Sequence, residues 1–203
     1  MLDETLIKDP IAYTEKLIAF KAEIDLLVRE SFLDQMQFQT ARDNSFQEFM
    51  NEQTFTAMYI AQFADRELRV GLKGVTELDV DRRLSSIIDI FRCLHSRDSF
   101  MQTFTRELSN RLLNKTSVSQ EAEEFMIAKL KIEVGIDATT KIEQMFRDMR
   151  HSEELQAKFF ETLGSKSKEI EGVEFNIKIL ARAKWPKMDH IELQSIPRQL
   201  LQC

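Results

Sequence analysis

The sequence predicts a mainly α-helical protein with one or two short β-strands near its C-terminus. The chain of 203 residues contains only 5 glycines and 3 prolines, a composition that favours long helices over turn-rich sheets. Large apolar side chains recur at intervals of three and four residues up to Leu163, as they do on one face of a helix. After Gly164 the apolar interval changes to two, which is typical of a strand with one buried face.

Three helices are predicted before the first glycine. Pro10 suits the first turn of a helix, because its missing N–H would have no partner there. The apolar spacing predicts that this helix covers residues 11–31, that a shorter one starts near Asp34, and that a third covers residues 55–70. The apolar positions behind this prediction are Leu17, Phe20, Ile24, Leu27, Val28, Phe32, Phe38, Phe46, Phe49, Met58, Ile60, Ala61, Ala64 and Leu68.

Gly71 and Gly74 separate the third predicted helix from a fourth and provide the best candidate for a domain boundary. Thr76 and Asp79 then match a capping box, in which side chains bind the free N–H groups at a helix start. A fifth helix ends before the Ser-rich turn at residues 116–119. The apolar faces of these two helices consist of Val80, Leu84, Ile87, Ile88, Phe91 and Leu94, then Phe100, Phe104, Leu108 and Leu112.

Three more helices are predicted beyond the Ser-rich turn. Gly135 fits the position just past a helix end, where a left-handed conformation is needed. Thr140 with Glu143 matches a second capping box, and Ser152 is predicted to cap a last helix over residues 153–163. The apolar faces here consist of Phe125, Met126 and Leu130, then Ile142, Met145, Phe146 and Met149.

A β-strand is predicted in the C-terminal segment. Val173, Phe175, Ile177 and Ile179 alternate with polar residues after a polar linker at residues 165–169. A single strand would leave an unpaired edge. We therefore expect the strand to pack on the helices, to pair with the tail near Ile191–Leu193, or to remain poorly ordered.

Composition argues against several functional classes. The formal net charge of −6 disfavours a general binder of nucleic acids or anionic membranes. No segment approaches the ~18 apolar residues of a membrane span, and the N-terminus lacks the pattern of a secretory signal. Cys93 and Cys203 cannot form a disulfide framework, and Cys93 is expected to be a buried small apolar residue. We expect an intracellular protein, cytoplasmic or nuclear, with no nucleic-acid or membrane partner.

No catalytic, cofactor-binding or metal-binding residue is predicted, and no cofactor is implied. His95, His151 and His190 do not have the spacing of metal ligands. Packing at a helix end explains the neighbouring Cys93 and His95 more simply than a metal site does. The known motifs for nucleophilic, metal-dependent and phosphate-binding chemistry do not occur in the sequence.

The charged residues near the Ser-rich turn allow two interpretations. Glu121, Glu123 and Glu124 are expected on solvated helix faces or in first turns, where they favour solubility and the helix dipole. Several cations could cluster around the same turn as a solvated rim. Alternatively, they could form a docking patch for an acidic partner. These cations are Arg106, Arg111, Lys115, Lys129, Lys131 and Lys141.

The run from Arg106 to Met149 resembles the cullin family, the scaffolds of multi-subunit ubiquitin ligases. Family members combine a Leu- and Arg-rich helix end, a Ser-rich turn, a Lys-Leu-Lys segment, a glycine and a Met-Phe pair in this order. Residues 60–74 and 175–186, which ends in Trp185-Pro186, resemble flanking segments of the same family. The matching positions in the main run are Leu108, Arg111, Leu112, Leu113, Ala122, Glu123, Met126, Lys129, Leu130, Lys131, Gly135, Thr139, Lys141, Met145, Phe146 and Asp148.

The resemblance implies a central cullin segment with three parts. Residues 1–53 would end a cullin-type helical repeat, 54–164 would form a helical bundle, and 165–203 would hold a linker and the first strand or strands of a truncated α/β domain. It further implies a fragment or truncated member that serves as a non-catalytic scaffold, a rigid spacer in a cullin-RING type E3 ubiquitin ligase. RING-box protein and substrate adaptor are the implied partners, with their main docking regions outside this chain. A generic helical interaction module is the alternative, which explains the periodicity but not the register.

Overall fold

The computed structural model describes residues 8–162, 169–170, 173–174 and 177–186. The chain divides into two compact units, residues 1–139 and 140–203. The protein is mainly α-helical, as predicted. Its helices are α1 (Pro10–Phe32), α2 (Met36–Asn51), α3 (Thr56–Arg66), α4 (Glu77–Arg92), α5 (Arg97–Asn114) and α6 (Gln120–Thr162), with a π-helical turn at Glu67–Gly71.

The first helix begins and ends through local backbone chemistry. The Asp9 carboxylate accepts hydrogen bonds from the N–H groups of Ile11 and Ala12 at 2.9 and 3.3 Å, which satisfies donors that have no partner inside the helix. Leu33 and Asp34 then both adopt positive φ, 49° and 52°. Two left-handed residues in succession interrupt the helical path. The predicted start of α2 at Asp34 is therefore wrong by two residues.

The core of the first unit lies around α3, which packs against α1 and α5. Ile60, Ala61 and Ala64 on α3 are fully buried. On α5, the rings of Phe100 and Phe104 stack with centroids 5.8 Å apart. The small alanines allow the neighbouring helices to approach α3 closely, while the aromatic rings fill the wider spaces. The other predicted apolar positions that are buried in α4, in α5 and in the segment between them are Leu84, Ile87, Ile88, Phe91, Leu94 and Leu108.

The segment after α3 winds into a π-helical turn instead of continuing as the predicted α-helix. Glu67 within this turn is buried, and its carboxylate Oε2 lies 3.3 Å from Arg83 Nη1 on α4. The same Arg83 nitrogen donates to the Gly71 carbonyl at 3.1 Å. A Cβ atom at Gly71 would lie 2.6 Å from Glu67 Oε2, so the carboxylate occupies the space that a side chain would need.

Helix α6 contains one non-helical residue, Gly135, with φ 83° and ψ 176°. The predicted break at this glycine is confirmed. The predicted capping role of Thr140 is wrong, because helical geometry resumes directly after Gly135. The hydroxyl of the buried Thr139 donates to the carbonyls of Gly135 and Ile136 at 3.3 and 3.1 Å, so it joins the first turn after the break. The predicted cap at Ser152 is also wrong, since this residue lies inside α6.

In the second unit, the predicted apolar face of α6 is buried: Ile142, Met145, Phe146 and Met149. Two short strands, β1 (Glu169–Ile170) and β2 (Val173–Glu174), pair antiparallel. The predicted strand was longer, but residues 177–180 do not have strand geometry. The predicted pairing with the tail near Ile191–Leu193 concerns residues outside the described ranges.

Candidate functional site

The most highly organised polar site of the first unit surrounds Arg111 at the end of α5. Its side chain is fully buried. Nε donates to Glu123 Oε1 at 2.6 Å and Nη2 donates to Glu123 Oε2 at 2.9 Å, which is a bidentate ion pair. Nη1 donates to Asp65 Oδ1 on α3 at 2.5 Å. The guanidinium also lies over the Phe104 ring, 5.4 Å from its centroid.

Further contacts extend this polar cluster to the Ser-rich turn. The Ser117 hydroxyl donates to Glu123 Oε1 at 2.7 Å, and the Val118 N–H donates to the Leu68 carbonyl at 2.8 Å. Arg69 Nε binds the Asp65 carboxylate at 2.9 Å. Together, these ion pairs and hydrogen bonds connect five parts of the first unit: α3, the π-helical turn, α5, the Ser-rich turn and the start of α6.

The protonation state of Arg111 follows from two opposed effects. Burial disfavours the charged guanidinium, but the hydrogen bonds and negative charges of Glu123 and Asp65 outweigh it and hold the pKa of Arg111 above its ordinary value. A buried ion pair of this kind adds little net stability compared with an apolar replacement. We infer that the pair selects among packed arrangements, because one that buries either charge without its partner is strongly disfavoured.

A second polar contact holds the end of α2 against the segment between α4 and α5. The Asn51 amide nitrogen donates to the carbonyls of Gln47 and Cys93 at 2.7 and 2.8 Å. Its amide oxygen accepts the N–H of His95 at 2.9 Å. One side chain thus satisfies three backbone groups, two of them more than 40 residues away in sequence, and fixes two helix ends relative to each other.

In the second unit, Asp148 on α6 holds the segment of residues 177–186. Its Oδ2 atom accepts the Ala181 N–H and the Trp185 Nε1–H, both at 2.9 Å. Gln144 donates to Oδ1 at 2.9 Å, and the Ser152 hydroxyl accepts the Ile179 N–H at 2.8 Å. Burial disfavours the carboxylate, but these donors outweigh it and keep the pKa of Asp148 below its ordinary value.

The structure corrects two predictions about charged residues near the Ser-rich turn. Arg111 is neither part of a solvated rim nor available to an acidic partner, because it is buried. Glu123 lies in the first turn of α6, one of the two places expected for it, but its side chain is only 1% exposed and is not solvated. Lys129 pairs with Asp81 at 3.0 Å and lies 4.5 Å from the centroid of the Phe125 ring. Arg111 is therefore excluded from a docking patch, and Lys129 already has an acidic partner within the chain.

The histidines and Cys93 do not come together as a site in the part of the chain that the structure describes. His95 and His151 are exposed, and His190 lies outside the described ranges. Cys93 is half-buried, and burial raises the pKa of its thiol. Within the described residues, three or more His, Cys, Asp or Glu side chains nowhere assemble as a possible metal site. No described helix is long and apolar enough to cross a membrane.

Comparison with known proteins identifies the family. The sequence model of the cullin alpha solenoid domain matches residues 3–156, which is most of the chain. The chain belongs to the cullin family. The cullins are a family of non-catalytic scaffold proteins. The predicted resemblance is confirmed, and one family match covers both the hairpin α1–α2 and the helices that follow.

Several cullins are similar to this chain over most of its length. It is 35% identical to Cullin-3A of Arabidopsis thaliana over 179 residues, 88% of this chain and 24% of that protein. It is 34% identical to Cullin-3 of Dictyostelium discoideum over 203 residues, 100% of this chain and 26% of that protein. Cullin-3 of Caenorhabditis elegans is 29% identical over 184 residues, 91% and 24% of the two chains. The chain therefore spans about a quarter of the length of these curated relatives.

The structure gives a physical reason for several positions of the cullin-like pattern. Arg111 and Glu123 form the buried ion pair. Gly135 provides the left-handed break in α6, and Asp148 binds the indole of Trp185. These residues act on the geometry of the helices and of the segment that follows them. Among the described residues, each of these contacts fixes the position of a helix, a turn or the segment after α6.

Proposed function

We propose that this chain is a rigid spacer in the scaffold of a cullin-RING type E3 ubiquitin ligase and acts in ubiquitin-dependent protein turnover. The buried cluster of Arg111, Glu123 and Asp65 is the observation that supports this proposal most directly. It favours one arrangement of three segments of the first unit, since a shift that keeps the cluster buried would leave a charge without its partner. A scaffold that keeps two reactants at a defined separation accelerates transfer by proximity without a catalytic group.

The partners are part of the same proposal. Membership in the cullin family supports a RING-box protein and a substrate adaptor as the molecules that the complete scaffold brings together, with their main docking regions outside these residues. We place the end of a helical repeat at 1–53, a helical bundle at 54–164 and the beginning of an α/β element at 165–203. A location in the cytoplasm or nucleus belongs to this proposal as well.

A distance measurement tests rigidity in the first unit. Spin labels at Glu30→Cys on α1 and Glu124→Cys on α6, with Cys93 and Cys203 replaced by serine, would report the distance between two exposed positions. Pulsed electron paramagnetic resonance should give one narrow distance distribution. Adding Glu123→Ala should broaden it, because the buried Arg111 loses its bidentate partner. A broad distribution in the parent protein would contradict a rigid spacer.

A reconstituted transfer reaction tests the ligase role. The chain, extended to the length of its relatives, should capture a purified RING-box protein and support ubiquitin transfer to an adaptor-bound substrate. Glu123→Ala should lower transfer while capture of the RING-box protein stays unchanged. If the extended protein recruits no RING-box protein, the ligase role is wrong. The generic helical interaction module then becomes the better interpretation.

A further inference from the structure

A groove with apolar walls lies between the beginnings of α4 and α6 in the first unit. Its volume is about 820 Å³. Leu78 on α4 is 70% exposed and Phe125 on α6 is 38% exposed, although both are large apolar residues at its edge. The interior of the groove is lined by Leu72, Val75, Val118 and Ala122.

The charged residues that line this groove are all acidic among the described residues: Glu77, Asp81 and Glu121. Asp81 is neutralised by Lys129, whose Nζ lies 3.0 Å from its carboxylate. Glu77 and Glu121 are exposed, and neither forms an ion pair with another described residue. The groove therefore has an apolar interior and two exposed first-turn carboxylates without an ion-pair partner among the described residues, one on each of the helices that border it.

The walls of the groove are held by hydrogen bonds that do not depend on an occupant. The Thr76 hydroxyl accepts the Asp79 N–H at 3.3 Å at the start of α4. The Ser119 hydroxyl accepts the Ala122 N–H at 3.1 Å at the start of α6. The Arg111 cluster holds the Ser-rich turn between them. Because these walls are already in place, an occupant would not have to bear the entropic cost of ordering them.

We propose that this groove docks a short amphipathic helix of a partner protein, with two or three large aliphatic side chains on one face and Lys or Arg at its edges. The aliphatic side chains would cover Leu78 and Phe125, and the cations would face Glu77 and Glu121. Helices recognised in this way present anchors at i, i+3, i+4 and i+7. This surface borders the same Ser-rich turn as the predicted basic docking patch but carries charge of the opposite sign, and it does not depend on the scaffold proposal.

Two matched peptides test the proposal with the 203-residue chain. Both carry Leu at i, i+3, i+4 and i+7 of the same helical sequence, and the flanking positions are Lys in one peptide and Glu in the other. Fluorescence anisotropy at low salt should show binding of the Lys peptide about tenfold tighter than that of the Glu peptide. Equal affinities, or no binding of the Lys peptide, would overturn the proposal.

Substitutions then assign the binding to the groove. Leu78→Asp should abolish binding of the Lys peptide, and the double variant Glu77→Gln/Glu121→Gln should remove its advantage over the Glu peptide. Leu33→Asp is the matched control, because Leu33 is 80% exposed and does not line the groove. Circular dichroism verifies that each variant is folded. A folded Leu78→Asp variant that still binds would exclude this groove.

The groove could instead be covered by another segment of a longer cullin chain. The protein extended to the length of its relatives distinguishes these occupants. It should bind the Lys peptide as tightly as the 203-residue chain does. If the extended protein fails to bind while the shorter chain binds, the groove is an intramolecular contact and partner docking is wrong.

Discussion

The junction between α5 and α6 buries charged side chains, whereas the hairpin formed by α1 and α2 exposes large apolar ones. At the junction, Arg111 and Glu123 are buried and bind each other, so polar groups determine one arrangement. In the hairpin, several large apolar side chains are exposed to solvent, including Leu33 and Met36, each 80% exposed. The buried charges of the junction have their partners among the described residues. The hairpin presents apolar surface that the described residues do not cover, as an end face of a helical solenoid would.

The largest expected effect comes from breaking the charge pair at the junction. Glu123→Ala should lower the free energy of unfolding by about 3–5 kcal/mol, because it leaves the Arg111 guanidinium buried with half of its partners. Urea denaturation followed by circular dichroism measures this change. The double variant Arg111→Met/Glu123→Leu should recover most of the loss, since it removes both buried charges.

An exposed pair provides the control for this prediction. Arg82 and Asp79 lie 3.1 Å apart, and their side chains are 73% and 45% exposed. Arg82→Ala should change the free energy of unfolding by less than about 1 kcal/mol. Equal losses for Glu123→Ala and Arg82→Ala would contradict the special role of burial at the junction.

Two leucines extend the comparison to apolar side chains. Leu108 at the junction is fully buried, whereas Leu27 in the hairpin is 53% exposed. Leu108→Ala should therefore cost about 2–5 kcal/mol through lost burial and a new cavity. Leu27→Ala should cost about 0.5 kcal/mol or less. Urea denaturation of both variants tests this difference. Similar costs would mean that the hairpin buries Leu27 against another surface in solution.

Acid should release the segment that Asp148 holds. Because the pKa of Asp148 is below that of an unfolded aspartate, its stabilising contribution is present above about pH 4 and is lost as pH falls through the folded pKa. Trp185 is the only tryptophan of the chain, so its fluorescence reports this contact. Its emission should shift to longer wavelength at low pH.

Substitution separates this effect from general acid unfolding. Asp148→Ala should give the shifted Trp185 emission already at neutral pH, whereas Glu154→Ala, at an exposed position of the same helix, should leave it unchanged. Helical circular dichroism should remain in both variants. Emission that is identical in Asp148→Ala and the parent protein would show that the contact does not hold the indole in solution.

The smallest expected effect on stability concerns the open surface of the hairpin. The double variant Leu33→Glu/Met36→Glu should change the free energy of unfolding by less than about 1 kcal/mol, because both side chains are mostly exposed. It should, however, reduce concentration-dependent self-association measured by sedimentation velocity. Ile132→Glu, at an equally exposed position outside the hairpin, should not reduce it. If both variants reduced self-association equally, the hairpin surface would have no particular role in it.

The helices could be predicted because the residues that define each of them lie close together in the sequence. The apolar interval of three to four residues identifies the buried face of α4 and α5, and Thr76 and Gly135 mark a start and a break through their own backbone chemistry. Thr140 and Ser152 carry similar signals but lie inside α6. Inside a helix, a hydroxyl can donate to a helix carbonyl or accept an N–H from another segment rather than cap a helix start. The sequence alone does not distinguish these uses.

The Arg111 cluster was missed because its partners are distant in sequence. Asp65 lies 46 positions before Arg111, and only the packing of α3 on α5 brings them together. One signal was nevertheless available. Arg111 follows Phe104 by seven residues and Leu108 by three, so it lies on the apolar face of α5. A charge on such a face requires a buried partner of opposite sign, and Glu123 was already among the family-like positions.

The absence of a side chain at Gly71 makes room for the Glu67 side chain, which links sequence variation at the two positions. The backbone of Gly71 does not require a left-handed conformation, so flexibility is not the reason for a glycine here. The Glu67 carboxylate, held by Arg83, fills the volume where a methyl group would be. An alanine at position 71 should therefore displace the Glu67 carboxylate from Arg83, and a shorter side chain at position 67 should relieve this conflict. The two positions are coupled, and homologous proteins should change them as a pair.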